Sequence, residues 1–160
     1  MYSQIDNPRE WVLSAALQEQ ADRAPDQTWI TDDQGDFLSF GRARMHCERA
    51  AGFFERLGVE RTERVGMFLF NSCAFAVSWL GLTRLGATAV LFNTELTGSF
   101  LRHQLNDSAV ACLVVDAELL GVLNDLADEL PHLKTVVVVG TEPVRAHESW
   151  RLVRWPDFNT

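Results

Sequence analysis

The chain has 160 residues, a formal net charge of −8 and a pI of about 4.9. A surface this acidic repels phosphate backbones, which argues against a nucleic-acid-binding function. Apolar residues make up 47% of the sequence, a usual value for a globular domain, so a disordered chain is not expected. Nearly all basic residues are arginines, and Lys134 is the only lysine.

The cysteines and the N-terminus indicate the cellular compartment of the protein. Cys47, Cys73 and Cys112 are odd in number and widely spaced, so neither a disulfide framework nor a zinc site is predicted. This pattern favours a reducing, cytoplasmic setting. Residues 1–6 lack the basic and apolar regions of a signal peptide. No apolar segment is long enough to cross a bilayer, while contact with a membrane surface is left open.

The first predicted element is a helix. Asn7 suits the N-cap, Pro8 suits the first helical position, and Glu10 occupies the capping-box position. Apolar residues then recur at helical spacing over residues 13–24. Pro25 ends the helix.

A short hairpin follows, with predicted strands at Thr28–Thr31 and Phe37–Ser39. Asp32 and Asp33 between them resemble the acidic pair of a phosphoryl-accepting receiver domain. That fold also needs a lysine after a late strand, which this sequence lacks. The turn around Gly35 explains the two acids better.

The second helix is predicted to begin near Ser39 and to end at Gly58, with Val59 folding back onto its last turn. His46 lies beside the apolar stripe of this helix, and a structural role is favoured over a catalytic one. The stripe consists of Ala43, Cys47, Ala50, Phe54 and Leu57.

The middle of the chain alternates apolar strands with helices, which predicts an α/β fold with a parallel sheet and right-handed crossovers. One helix is predicted after Ser72, a second after Thr97, and a third from Asp116 to Pro131. Cys47 and Cys112 should be buried and unreactive. The predicted strands are residues 65–70, 87–92, 109–115 and 135–139.

Three segments therefore organise the chain. Residues 1–64 hold the helix, hairpin and amphipathic helix, and residues 65–140 form the parallel α/β unit. Residues 141–160 are predicted to be an irregular tail leading to a missing remainder. Four apolar residues of this tail are expected to be exposed in this chain and to be buried by other parts of a longer protein: Trp150, Val153, Trp155 and Phe158.

Polar residues follow each predicted strand, where ligands bind in open parallel sheets. They could form the rim of a pocket, but helix capping and turn formation explain the same residue types and are favoured. These residues are Asn71, Ser72, Asn93, Thr94, Asp116 and Gly140.

No motif supplies a complete catalytic site. The sequence contains no dinucleotide-binding glycine motif, phosphate-binding loop or nucleophile elbow. Its four histidines are not paired at metal-ligand spacing. Cys73 falls in a first helical turn, but burial as a small apolar residue is favoured over a reactive thiol. We therefore assign no catalytic, cofactor-binding or metal-binding residue to this chain.

Several segments, in this order and at this spacing, resemble the start of an adenylate-forming enzyme, the superfamily of acyl-CoA synthetases, AMP-dependent ligases and luciferases. The segment FNTEL at residues 92–96, followed by His103 and Leu105, resembles the fatty-acid-transport-protein and carnitine-type CoA ligase branch. The other matching segments are LSF at residues 38–40, RAAGFFERLGV at 49–59, RVGMFLFNS at 64–72, WLGLTRLGA at 79–87 and AVACLVVD at 109–116.

The chain departs from this family in two places and lacks its catalytic motifs. Arg42 replaces the acid that would complete a capping box, and Thr62-Glu63 stands where the family has Gly-Asp. The family's lysine-bearing Ser/Thr/Gly-rich loop, its Thr-Glu segment for adenine and Mg²⁺, its ribose-binding Asp and its C-terminal lysine do not occur before Thr160.

The resemblance implies an N-terminal fragment of an ATP-dependent acyl-CoA synthetase, inactive by itself. The full-length enzyme would use ATP, Mg²⁺, CoA and a fatty or other carboxylic acid, none of them bound by this segment. The alternative is a stand-alone, non-catalytic α/β module that binds a partner or a small molecule.

Overall fold

The computed structural model of the protein describes residues 12–158, so the predicted capping residues Asn7, Pro8 and Glu10 lie outside the described residues. The helices are α1 Leu13–Arg23, α2 Phe40–Arg56, α3 Cys73–Leu85, α4 Gly98–Ser108 and α5 Leu120–Asn124. The strands are β1 Thr28–Thr31, β2 Phe37–Ser39, β3 Arg64–Phe68, β4 Thr88–Leu91, β5 Cys112–Asp116, β6 Thr135–Val139 and β7 Arg151–Arg154.

The architecture is α/β, as predicted. Strands β1 and β2 form an antiparallel hairpin, and the other five form a parallel sheet in the order β4-β3-β5-β6-β7. Met67 of β3 aligns with Leu91 of β4 on one side and with Val114 of β5 on the other. All four predicted strands are present, with ends shifted by a few residues.

Strand β7 corrects the prediction of an irregular tail. Arg151–Arg154 pairs in parallel with β6, and Val137 aligns with Val153. The segment has the sequence RLVR and lies mostly exposed at the sheet edge. It therefore lacks the apolar run from which the buried strands were recognised.

The three central strands of the sheet, β3, β5 and β6, are covered on both faces. Helices α2 and α3 enclose one apolar cluster that includes Phe54, Met67 and Val114. Residues of α4 and α5 enclose the other, which includes Leu113 and Val136. Because both faces are buried, the strands read as continuous apolar runs instead of alternating patterns.

The ends of α2 and α3 form as the sequence indicates. The Ser39 hydroxyl accepts a hydrogen bond from Arg42 N at 3.3 Å, and the Ser72 hydroxyl accepts one from Phe75 N at 3.1 Å. Gly86 ends α3 with φ +82°, a left-handed conformation that glycine adopts without steric cost. The backbone N–H of Val59 returns to Phe54 O at 3.0 Å, as predicted.

The prediction of one continuous helix from Asp116 to Pro131 is wrong. Residues 117–119 and 127–129 are 3₁₀ turns on either side of the five-residue α5. Asn124, the last residue of α5, donates its side-chain amide to Arg145 O at 2.9 Å and accepts from His147 N at 3.0 Å. These tertiary bonds hold the tail against the end of α5, where the sequence pattern alone predicted a continuing helix.

The tail residues expected to await cover are instead packed against the chain's own core. Trp150 is 6% exposed in the cluster on the α4 and α5 side. The ring of Trp155 lies 5.4 Å from that of Phe53 and 5.1 Å from that of Phe158. Their apolar character therefore does not by itself show that a segment is missing.

Cys47 and Cys112 are buried, as predicted, at 3% and 6% exposure. Burial raises the pKa of each thiol to about 12. The thiolate is the reacting form, so we expect both thiols to react slowly with thiol reagents in the folded protein.

The close approach of α2 and α3 gives a test of the packing. A Cβ atom at Gly81 would lie 2.6 Å from Ala50 Cβ. We expect Gly81→Ala to lower the free energy of unfolding by about 1–3 kcal/mol, since the packed helices must separate. Urea unfolding measures this change.

Gly121→Ala in α5 is the matched control, because a Cβ there meets nothing within 4 Å. It should leave stability unchanged or raise it by up to about 1 kcal/mol. Equal destabilisation by both substitutions would contradict the proposed contact.

Candidate functional site

Open parallel sheets bind ligands at their carboxyl edge. At this edge, the carboxylate of Asp116 is engaged in a hydrogen bond within the chain. Asp116 ends β5 and accepts a hydrogen bond from Phe70 N, beyond β3, at 2.6 Å. Burial raises the pKa of this carboxyl group, while the bond from Phe70 opposes that shift. Asp116 makes no capping bond to the following turn, so its prediction as a side-chain cap is wrong. It joins two neighbouring strand ends instead.

The other predicted rim residues mostly shape turns. Asn93 accepts a hydrogen bond from Glu95 N at 3.0 Å, and Ser72 caps α3. Gly140 follows β6 with φ +108°, and a Cβ there would lie 3.3 Å from Ala117 Cβ. Asn71 lines the cleft described next. The favoured interpretation, capping and turn formation, fits these contacts.

A cleft of about 490 Å³ separates the hairpin from α3, and we call it the hairpin cleft. Its apolar wall includes Trp29 and Trp79, each 37% exposed, and Phe75. The Trp29 ring is stacked 6.0 Å from that of Phe40, which anchors the hairpin on α2.

Asp32 links the hairpin to α3. Its Oδ1 accepts from Gln34 N at 3.2 Å and from Asp36 N at 2.9 Å, and its Oδ2 accepts from Cys73 N at 3.3 Å. The first two bonds form the predicted turn. The third satisfies one of the free N–H groups at the start of a helix that is distant in sequence.

Cys73 is half-buried in the first turn of α3. Burial, followed by the charge and hydrogen bond of Asp32 and the charge of Asp36, raises its pKa to about 11. These effects outweigh the helix N-terminus, which would favour the thiolate. Cys73 therefore lacks the properties of a nucleophile.

A second cleft of about 380 Å³ lies between the hairpin, α2, α3 and the tail, and we call it the tail cleft. His46 lines it and is 5% exposed. Within the described residues its Nε2 atom is buried without a hydrogen-bond partner. Burial, followed by Arg42 and Arg49, lowers the pKa of His46, whereas Asp157 acts in the opposite direction.

One cluster that the sequence did not reveal contains Ser, His and Asp side chains. His147 Nδ1 lies 2.8 Å from Ser149 Oγ, and its Nε2 lies 3.7 Å from Asp128 Oδ1. The Asp128 side chain is 94% exposed, so water screens its charge. Ser149 contacts the histidine only two residues away, as in a local turn. The cluster thus lacks the buried, oriented acid of a catalytic triad.

Arg42 lines the tail cleft but is engaged with the hairpin, since it donates to Phe37 O at 3.4 Å and lies 5.6 Å from the centre of the Phe37 ring. Lys134 lies just before β6, at the amino edge of the sheet, and donates to Pro131 O at 2.7 Å. Arg154 follows the tail strand and donates to Gly140 O and Glu142 O. No group of three or more His, Cys, Asp or Glu side chains among residues 12–158 is placed to hold a metal ion.

The sequence profile of the AMP-binding enzymes matches residues 17–156. The chain belongs to the AMP-binding enzyme family. The match covers the hairpin cleft, the whole parallel sheet and all of the tail cleft except Asp157 and Phe158. The resemblance seen in the sequence is therefore confirmed at the level of the family.

Relatives act on several kinds of acid. The chain is 36% identical, over 106 residues, to the 4-hydroxybenzoate–CoA/benzoate–CoA ligase of Rhodopseudomonas palustris. It is 28% identical, over 106 residues, to a crotonobetaine/carnitine–CoA ligase of Salmonella heidelberg. Each alignment covers 66% of this chain and 20% of the relative, so the chain spans about a fifth of their length.

Solved structures show the same fold. The anthranilate CoA ligase AuaEII, in complex with anthranoyl-AMP, matches 99% of this chain and 29% of its own, with a TM-score of 0.81 and 25% identity. The N-terminal domain of FACL13 from Mycobacterium tuberculosis matches 78% of this chain and 32% of its own, with a TM-score of 0.73 and 22% identity. No helix within residues 12–158 has the length and apolar character needed to cross a membrane.

The Asp32 link can be tested by substitution. Asp32→Ala removes the acceptor of three backbone N–H groups, and we expect it to lower the free energy of unfolding by about 1–2 kcal/mol. Asp33→Ala is the matched control, because among residues 12–158 the Asp33 carboxylate accepts only from the Gln34 side chain, at 3.4 Å. Urea unfolding should show no change above about 0.5 kcal/mol for the control. Equal effects would mean that Asp32 does not link hairpin and helix.

Proposed function

We propose that this chain is the N-terminal part of an ATP-dependent, AMP-forming acyl-CoA synthetase. The family match over residues 17–156 carries this proposal. The two relatives described above, which act on benzoates and on crotonobetaine and carnitine, are both acid–CoA ligases and are about five times as long as the aligned segment.

In the complete enzyme, a carboxylate oxygen of the substrate attacks the α-phosphorus of ATP. The bond to the β-phosphate oxygen breaks, and pyrophosphate leaves. The CoA thiol then loses its proton and attacks the carbonyl carbon of the acyl-AMP, which expels AMP and forms a thioester. Both steps move negative charge onto phosphate oxygens, which requires preorganised cations and N–H donors.

This chain acts in that enzyme as a scaffold. Its single lysine is bonded at the amino edge of the sheet, and the carboxylates of Asp32 and Asp116 at the other edge accept backbone hydrogen bonds. At a net charge of −8, the chain also repels ATP. The residues that bind ATP, Mg²⁺ and CoA therefore belong to the remainder of the polypeptide, beyond Thr160.

The substrate class is a carboxylic acid. Benzoate and hydroxybenzoate ligases and a carnitine-type ligase are all similar to this segment, which supports an assay panel of aromatic, short polar and fatty acids. The three free thiols support a reducing, cytoplasmic location. Residues 1–64, 65–140 and 141–160 remain our proposed organisation of the chain.

One observation favours a second function, a stand-alone α/β binding module. The apolar tail residues are covered by the chain itself, and Trp150 is 6% exposed. A self-contained core of this kind suits a module that folds alone and binds a partner or small molecule. The two functions differ in whether a phosphate-binding sequence follows in the same reading frame.

We expect the purified 160-residue chain neither to bind ATP nor to release pyrophosphate. Calorimetric titration with ATP and Mg²⁺ should show no saturable binding with a Kd below about 100 μM, equivalent to about −5.5 kcal/mol. Pyrophosphate release should stay at background with every acid of the panel. The complete Rhodopseudomonas palustris ligase, assayed with 4-hydroxybenzoate, is the positive control.

Saturable ATP binding by the short chain would contradict the scaffold role and favour the binding module. The DNA downstream of codon 160 separates the two functions independently. The proposal expects a continuing reading frame with a Ser/Thr/Gly-rich loop that contains a lysine. A stop codon directly after Thr160 would contradict it.

A further inference from the structure

The tail cleft contains a buried imidazole with an unsatisfied nitrogen. His46 lies on α2, is 5% exposed, and its Nε2 has no hydrogen-bond partner within the described residues. Buried polar atoms in native proteins are nearly always paired, so an unpaired one requires an explanation. A neutral nitrogen tolerates this position far better than a charged one.

Residues 155–158, which we call the tail strap, close over this imidazole. The Phe158 ring lies 6.1 Å from the His46 ring, and Arg49 Nη1 donates to Phe158 O at 2.5 Å. At the other end of the strap, Trp155 N donates to Val138 O at 2.8 Å, which ties the strap to β6. The strap is thus held by the sheet at one end and by α2 at the other.

The charges around His46 determine how it responds to protonation. Arg42 and Arg49 of α2 disfavour a positive charge on the ring, and Asp157 of the strap favours one. Asp36 of the hairpin and Cys73 of α3 line the same cleft. Burial is the largest effect and lowers the pKa of His46, so the closed strap surrounds a neutral ring.

We propose that neutral His46 keeps the tail strap closed over the tail cleft, and that protonation of His46 releases the strap. A protonated ring needs a hydrogen-bond acceptor, and none of the described residues offers one to Nε2 in the closed arrangement. Release of Phe158 exposes the ring to solvent, which hydrates a charged imidazole and screens its repulsion by Arg42 and Arg49, which stay beside it on α2. This inference depends on the geometry of the cleft and not on the proposed function.

The direction of the pH dependence follows from linkage. His46 binds its proton more weakly when the strap is closed, so the open form carries more protons at mildly acidic pH. The closed form is therefore fully favoured above the ordinary histidine pKa of 6.5 and loses stability as the pH falls below it. Because the tail cleft lies beside the carboxyl ends of the strands, the strap would control access to the edge where α/β sheets bind ligands.

Hydrogen exchange at the Trp155 amide tests the proposal on the intact 160-residue chain. This amide donates to Val138 O in the closed strap, and we expect release of the strap to break that bond. Between pH 7.5 and pH 5.5, its protection factor should fall by up to about tenfold, the limit reached when only the open form, with the ordinary histidine pKa of 6.5, takes up a proton. The protection factor is corrected for the intrinsic pH dependence of exchange.

His46→Phe and His46→Gln remove the titration and should abolish the pH-dependent fall. His103→Phe is the control, because His103 is an exposed residue of α4 and lies outside the tail cleft. It should behave like the wild type. The amide of Val137, in the buried strand β6, reports global unfolding and should stay protected at both pH values.

Three results would overturn the proposal. The first is a wild-type protection factor at Trp155 that is the same at both pH values. The second is an equal fall in the wild type and in both His46 variants, which would assign the effect to another group. The third is a parallel loss at Val137, which would show that acid unfolds the whole domain and does not release the strap.

Discussion

The requirement that a parallel sheet be buried on both faces shapes this structure. Its central strands contain side chains with no exposure, such as Val114 and Val136, and each face must therefore be sealed by helices. Helices α2 and α3 seal one face and can do so because Gly81 lets their backbones approach at Ala50. Helices α4 and α5, with Trp150 of the tail, seal the other.

In this arrangement, the acidic side chains at the carboxyl edge of the sheet are engaged in structural hydrogen bonds. The polar groups there connect elements that are distant in sequence: Asp116 joins β5 to the segment after β3, and Asp32 joins the hairpin to α3. A carboxylate that accepts such bonds is a structural residue, and a scaffold made of them can position a catalytic loop without supplying one. This arrangement and the family match together support the proposed scaffold role.

The sequence predicted most of the fold because its signals are local. Apolar runs identified four strands, and Ser39, Ser72 and Gly86 marked helix ends through contacts with residues close in the chain. The features it missed depend on distant contacts. Strand β7 is polar and exists through pairing with β6, and the end of α5 depends on bonds from Asn124 to the tail.

The candidate site was less predictable than the fold for the same reason. The absence of family catalytic motifs led to no assignment of site residues, and it could not reveal what the acidic residues do. Asp32 was recognised as a turn residue, while its bond to Cys73 N crosses 41 positions in the chain. The burial of His46 could be foreseen from its place beside the helix stripe, whereas the strap over it depends on the path of the tail.

The central claim is that both faces of the sheet are sealed within this chain, so that it unfolds as one unit. Pulsed hydrogen exchange with peptide resolution, across the urea transition, measures this most directly. Peptides from α2 and α3 and peptides from α4 and the segment around Trp150 should lose protection at the same urea concentration. Loss of protection on one face at a lower urea concentration, while the other stays protected, would contradict the account.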